Sequence, residues 1–391
     1  MFLARLQLLF AILAIFFVQS ALAQTPSAGA SEPQPFFFPA PPAGFNPVGA
    51  SDADLAAYGF PKRPALTDPY YATWAKVVSN AKNRIANPVA RTTTRVHGPV
   101  RQAVSGPVHA AGGVGADNGF SYNWSGPEVT YPNTSGYFAR NGSTAYIAFQ
   151  PPVLGTEDCL YAPYHTSIWA GFDGDSRLSS YDVLQAGIDV SYGTSCSVSY
   201  AAWYEWYMPG CSGSSTSYPC YETDVNLTVN AGDAMYISVT YNTTSPNGTA
   251  FLSDQTTGDY VTVSFNQPSG NSDGTYSGSS AEWIVERPLS IATGSLYDLG
   301  NYSVPDGPNG YLWAYPDYTN SAGSIIGAGF DSAATTTFWT MTCDSSHWNP
   351  SSACNVISET ISIPYYQQGS SGACIWPGTI CFYPTGPAAS Q

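Results

Sequence analysis

Lysine is missing from residue 116 to the end of this chain, where only Arg140, Arg177 and Arg287 face 23 carboxylates. That stretch carries a net charge of −20, so it offers no basic patch for a nucleic-acid backbone. No Cys-x-x-Cys pair occurs, which excludes the common zinc and thioredoxin-like patterns. HExxH and an Asp-Thr-Gly or Asp-Ser-Gly loop are absent, so zinc and aspartic peptidase chemistry lack their usual signatures. His97, His109, His165 and His347 are scattered: two precede the acidic stretch, two sit beside turn residues, and all four read as structural. After residue 23 no run of ~18 apolar residues remains, so the mature chain is expected not to span a membrane.

What is present begins with Arg5, an apolar run LQLLFAILAIFFV and the small-residue site Ala21-Leu22-Ala23. This predicts a signal peptide over 1–23 and a secreted, extracellular protein. Eight cysteines in an exported chain predict disulfides. Short loops favour Cys211–Cys220, Cys343–Cys354 and Cys374–Cys381, leaving Cys159–Cys196.

Residues 24–115 read as a prosegment. A Pro-rich linker comes first, then two short helices. Ser51 caps one over Asp52 to Tyr58; Asp68-Pro69 opens another whose apolar side is Tyr70, Trp74, Val77, Val78, Ala81 and Ile85. A Thr/Arg/Gly/Val-rich connector, RTTTRVHGPVRQAVSGPVHAAGGVGA, follows and suits an exposed, cleavable segment. Residues 1–115 carry a net +5, opposite in sign to the rest. The prosegment should therefore dock on the acidic part at neutral pH and loosen when acid neutralises the carboxylates. The same carboxylate surface suits a protein that works in acid.

From about residue 118 helical periodicity stops. Short alternating runs such as STAYIAFQ, SYAAWYEWYM, YVTVSFN, TTTFWTMT and VISETISI are broken by Gly, Asn, Asp and Pro. Residues 116–391 are thus predicted to form an all-β domain of two packed antiparallel sheets. Polar side chains interrupt its aromatic strands. In SAEWIVE, Glu282 and Glu286 share a face but stand ~13 Å apart, so a catalytic partner must come from another strand. Gln185 and Asp189 share a face of LQAGID, and Glu205 lies with Trp203 and Tyr207 in AWYEWY. Such a pattern fits a lined cleft or simply one wet sheet face.

Several motifs occur in order: Asn123-Trp124-Ser125-Gly126, WAGFDGD at 169–175, LQAGID at 184–189, AWYEW at 202–206, NAGDAMYISV at 230–239 and AEWIVE at 281–286. Together they resemble the glutamic peptidases, or eqolisins. The stretch SDADLAAYGFPKRP is similar to the proregions of bacterial members, and the region after about 290 matches less clearly. The resemblance implies a concanavalin-like jelly-roll sandwich and an endopeptidase acting on polypeptides without metal or cofactor. It implies Gln185 and Glu286 as the catalytic dyad, meeting across neighbouring strands, with Glu282 in a supporting role. It also implies that Trp124, Trp169, Asp173 and Glu205 line or brace the cleft. Self-cleavage is expected near residues 100–118, and the mature protein is expected to be a monomer. Asn123, though part of an Asn-X-Ser site, is not expected to carry glycan. Two rivals remain: a glycoside hydrolase using Glu205 and Glu286, and a non-catalytic lectin-like carbohydrate binder.

Overall fold

The computed structural model describes residues 35–99, most of 116–341, and 380–382. The signal-peptide reading, the strand expected in VISETISI and every proposed cysteine pairing fall outside the described residues or side chains.

The N-terminal part supplies strand β1 (Phe36–Phe37), helices α1 (Asp52–Ala57) and α2 (Tyr71–Asn80), and strands β2 (Asn83–Arg84), β3 (Ala90–Thr92) and β4 (Arg95–Val96). Next come β5 (Ala116–Ser121), β6 (Trp124–Thr130), helix α3 (Tyr137–Asn141), β7 (Thr144–Phe149), β8 (Val153–Leu154), β9 (Tyr164–Phe172), β10 (Val183–Tyr192) and β11 (Val198–Tyr207). Strands β12 (Thr223–Val225), β13 (Met235–Asn242), β14 (Asn247–Asp254), β15 (Asp259–Asn266) and β16 (Ser280–Glu286) follow. The chain continues through β17 (Leu289–Ser290), β18 (Ser295–Leu296), β19 (Tyr302–Ser303), β20 (Leu312–Thr319), β21 (Ile325–Gly327), β22 (Thr335–Met341) and β23 (Ile380–Phe382).

These strands make an all-β sandwich. One sheet runs β1-β15-β14-β13-β7-β20-β21; the other runs β3-β12-β11-β10-β9-β16-β6-β22-β5. Pairing is antiparallel except at the margins, where β5 joins β22 and β2 joins β15 in parallel. Strand alternation explains the layers. In β10, Leu184, Ala186, Ile188 and Val190 enter the core between the sheets, and in β16 Ala281, Trp283 and Val285 do the same. They meet Ile147, Val239, Leu252 and Val263 from the opposite sheet. The residues between them, Gln185, Gly187 and Asp189, and Glu282, Ile284 and Glu286, therefore point to the outer face of their sheet.

The N-terminal part covers both outer faces. On the first sheet, Leu55, Phe60, Trp74, Val77 and Val78 pack onto Tyr146, Tyr236, Phe251 and Tyr260. Helix α1 starts as expected, with the Ser51 hydroxyl accepting the Asp54 N–H at 3.1 Å. Helix α2 places Trp74 with no exposure, its indole N–H donating 3.0 Å to the Pro61 carbonyl. On the second sheet, β3 pairs with the edge strand β12, and β4 pairs with β17 beyond the end of β16.

The connector expected to be exposed is therefore not exposed between Val96 and Gly98, all of which are buried. Its composition lacks strand periodicity, but its free backbone groups complete an otherwise open sheet edge.

Candidate active site

Glu286 ends β16 and is fully buried. Three donors converge on its carboxylate: the Trp169 indole N–H at 2.7 Å, the Asn123 amide at 3.0 Å and the Gly98 backbone N–H at 3.1 Å. Burial raises its pKa, and the His97 ring together with the two tryptophans Trp124 and Trp169 pulls it part of the way back. Asn123 has no exposure and gives its amide also to the Gly98 carbonyl at 2.8 Å, which leaves no space for a glycan.

Gln185 lies on β10, opposite Gly171 of β9, and Glu286 lies opposite Ser167 of the same strand. The expectation of neighbouring strands is corrected: β9 runs between the two residues. The two side chains do not bond to each other; both reach over β9 toward one peptide group. Gln185 donates its amide to the His97 carbonyl at 2.5 Å, while Glu286 takes the adjoining Gly98 N–H. The carbonyl oxygen of the Gln185 side chain is buried without a hydrogen-bond partner among the described residues.

Glu205, on β11 opposite Gln185, accepts the His97 backbone N–H at 2.9 Å. Burial pushes its pKa well up, against the pull of His97. Trp169 and Trp124 pack edge to face with centroids 5.2 Å apart and, with Trp203, Ile284 and Trp339, floor this face of the sheet. Asp173 sits elsewhere in role: with φ at 70°, it turns its carboxylate onto the Gly278 and Ser279 N–H groups, both at 2.7 Å. It fastens the loop that leads into β16. Glu282 accepts the Ser280 hydroxyl at 2.9 Å, and burial plus the neighbouring Glu128 push its pKa well up.

Sequence reasoning missed His97, which is fully buried and stacks on Trp203 at 4.0 Å and 9°. A lone histidine ahead of a domain carries no local signal. The signal was the opposite charge of the segment around it. The imidazole meets Glu222 at 2.8 Å and Glu286 at 3.4 Å. Burial opposes its charge, yet Asp189, Glu222 and Glu286 outweigh that and raise its pKa well above the usual value. Arg95 reaches Asp189 at 2.9 Å, forms a charged pair with Glu222 and lies 3.5 Å from Asp224. Burial lifts Asp189 to about 7, whereas Arg95 and His97 hold Glu222 below the carboxylate range despite its burial. His97, Asp189 and Glu222 offer three ligand atoms within 4.8 Å of one another, but Arg95 already balances the two carboxylates.

The profile of the Peptidase A4 family matches residues 122–306, a span that holds Asn123, Gln185, Glu205 and Glu286. Over this span the chain is similar to the Peptidase A4 family. Aspergillopepsin-2 of Aspergillus niger is 37% identical over 124 residues, covering 32% of this chain and 38% of that protein. Scytalidopepsin B of Scytalidium lignicola is 36% identical over 118 residues, covering 30% of this chain and 38% of that protein. The chain thus spans under two-fifths of the length of these A4 relatives. Among solved structures, a tailspike protein of bacteriophage CBA120 aligns over 60% of this chain and 29% of that chain at 12% identity, with a TM-score of 0.23, too slight a likeness to bear on the fold.

Proposed function

We propose that this chain is a secreted, acid-acting endopeptidase in which Gln185 and Glu286 activate water against a peptide carbonyl. One observation carries the reading: a peptide group lies between the two side chains, its oxygen at Gln185 and its nitrogen at Glu286. The chemistry follows from that arrangement. Glu286 takes a proton from water as the water oxygen attacks the carbonyl carbon. The Gln185 amide N–H stabilises the oxyanion that develops, and its side-chain carbonyl is the acceptor available to orient the water. Glu286 then gives the proton to the departing nitrogen. Glutamine does not titrate, so one carboxyl performs both transfers. A carboxyl that must alternate between forms is suited to acid, where the carboxylate-rich surface also loses its self-repulsion.

The glycoside hydrolase rival needs Glu205 as the partner of Glu286. The family match favours peptide hydrolysis over this rival.

The test is digestion of a denatured protein in acid by matured enzyme, with pepstatin-type inhibitors as a control. Gln185→Ala should lower kcat by ~10²–10³-fold, the effect of losing one oxyanion donor. Glu286→Gln should abolish turnover. Wild-type rates in either variant would remove the dyad from the reaction.

A further inference from the structure

The segment Thr93–Gly98 runs across the site as an extended strand whose backbone is paired almost throughout. The Thr93 N–H donates to the Glu222 carbonyl at 2.9 Å, and the Thr94 carbonyl accepts the Ile291 N–H at 3.0 Å. The Arg95 carbonyl accepts the Glu222 N–H at 3.2 Å. The His97 N–H goes to Glu205, its carbonyl to Gln185, and the Gly98 N–H and carbonyl go to Glu286 and Asn123. This is strand addition, the mode by which extended peptides bind clefts. The side chains are received as well: Arg95 among Asp189, Glu222 and Asp224, Val96 with 2% exposure, and His97 on Trp203. Gly98 lies against Tyr207, where an added Cβ would come within 2.7 Å of the ring.

Resting on the proposed peptidase activity, we propose that His97–Gly98 is the bond this domain cuts in its own chain, and that the acidic pocket receiving Arg95 selects a basic side chain two residues before the cut residue. The contacts at the peptide group are those of a substrate. The donor that would face the oxyanion is on the carbonyl, the carboxyl is on the nitrogen that leaves, and the Gln185 side-chain oxygen is a buried acceptor without a partner among the described residues. In the step, a water O–H proton passes to Glu286 while the water oxygen bonds to the His97 carbonyl carbon. The carbon–nitrogen bond then breaks, and Glu286 returns the proton to the Gly98 nitrogen. The products are a chain ending in the His97 carboxylate and a chain beginning with the Gly98 amine.

This places the cut just before the stretch 100–118 expected from composition.

The experiment uses the full chain, refolded at neutral pH, shifted to about pH 3.5 and followed by intact mass and N-terminal sequencing. A synthetic peptide of residues 91–104 and a denatured protein are digested alongside by the matured enzyme. The expected result is a new N-terminus at Gly98, the same cut in the peptide, and neither in Glu286→Gln. Peptides carrying Arg95→Ala or Gly98→Val should lose at least about tenfold in kcat/KM, the scale of one mismatched pocket contact. New N-termini elsewhere with His97–Gly98 intact, while the denatured protein is digested, would overturn the proposed bond and leave the peptidase reading standing. A peptide that slows digestion but stays whole would also overturn it. No cleavage of any of the three would sink both.

Discussion

A carboxyl that serves as base must be ionised before water attacks, so whatever holds its charge sets the acid limb of the rate profile. At Glu286 burial raises the pKa, and the Trp169 indole N–H at 2.7 Å opposes that by favouring the anion. Trp169→Phe keeps the ring and removes the donor. The acid limb of kcat/KM in the matured enzyme should move to higher pH, with a loss at low pH that recovers as pH rises. An unmoved limb would mean that the indole only packs. Asp173 makes a different kind of prediction, because it touches no reacting group. Its carboxylate satisfies two backbone N–H groups ahead of β16. Asp173→Ala orphans them and leaves a non-glycine residue at positive φ, at a cost of about 2–3 kcal/mol in stability. Thermal unfolding should show it, while the pH profile of surviving activity stays in place. Gln185 and Glu286, the proposed dyad, could be singled out only through ordered motifs, since a Gln and a Glu about one hundred positions apart share no periodicity. His97 was not legible at all: its role depends on which strand edge the preceding chain completes.

Elements with strong periodicity were legible. The apolar spacing of Trp74, Val77 and Val78 predicts α2, and alternation predicts β10, β11, β13 and β16; each forms, but α2 stops at Asn80, short of the expected Ala81 and Ile85, because Asn83–Arg84 leaves the helix to pair with β15 as strand β2. Strands β3 and β4 were invisible because their two or three residues gain order from pairing partners rather than from their own pattern. The order of strands was equally hidden. Nothing in LQAGID or AEWIVE announces that WAGF lies between them. Close backbone approach is another property of elements. Gly126 of β6 has φ at 147°, and a Cβ there would stand 1.9 Å from the Trp283 carbonyl oxygen on β16. Gly126→Ala must therefore push β6 away from the strand that carries Glu286. The full chain should lose both several degrees in midpoint temperature and most of its activity. An alanine variant with wild-type unfolding and turnover would show that the two strands can separate freely at that point. Helix α2 offers a cleaner packing test. Trp74→Ala removes a fully buried indole outside the cleft, and should cost ~3–5 kcal/mol by thermal or denaturant unfolding of the full chain.

For the whole molecule the question is how acid acts on a chain whose basic front lies over an acidic domain. Simple neutralisation would loosen it, as the charge balance suggests. The buried groups argue otherwise. Burial, with the Asp173 charge adding, raises Asp182 to about 7, and burial with the Glu222 charge raises Asp189 to about 7 against Arg95 and His97. Burial also raises Asp224 to about 8. A group whose folded pKa is raised contributes stability that is complete below its unfolded value, ~3.9 for Asp, and is lost as pH climbs through the folded value. His97, raised well above ~6.5, acts with the same sign. Glu222, held low by His97 and Arg95 despite burial, acts with the opposite sign, and its contribution is lost only when pH falls through that depressed value. Around pH 4–5 all these contributions coexist, and the front of the chain stays on the cleft with Arg95 still paired. Acid then supports the strand in place while Glu286 gains access to both protonation states, so the proposed release of the segment is expected to need a cut rather than a melt. The full-length Glu286→Gln protein, which should not cut itself, isolates the effect. Its midpoint temperature by calorimetry should peak near pH 4–5 and fall by several degrees by pH 8, at ~1–2 °C per kcal/mol for a chain of this size. Asp182→Asn, far from Arg95, should flatten that fall. A midpoint that instead rises steadily from pH 4 to pH 8 would restore acid-driven release as the way the cleft is opened.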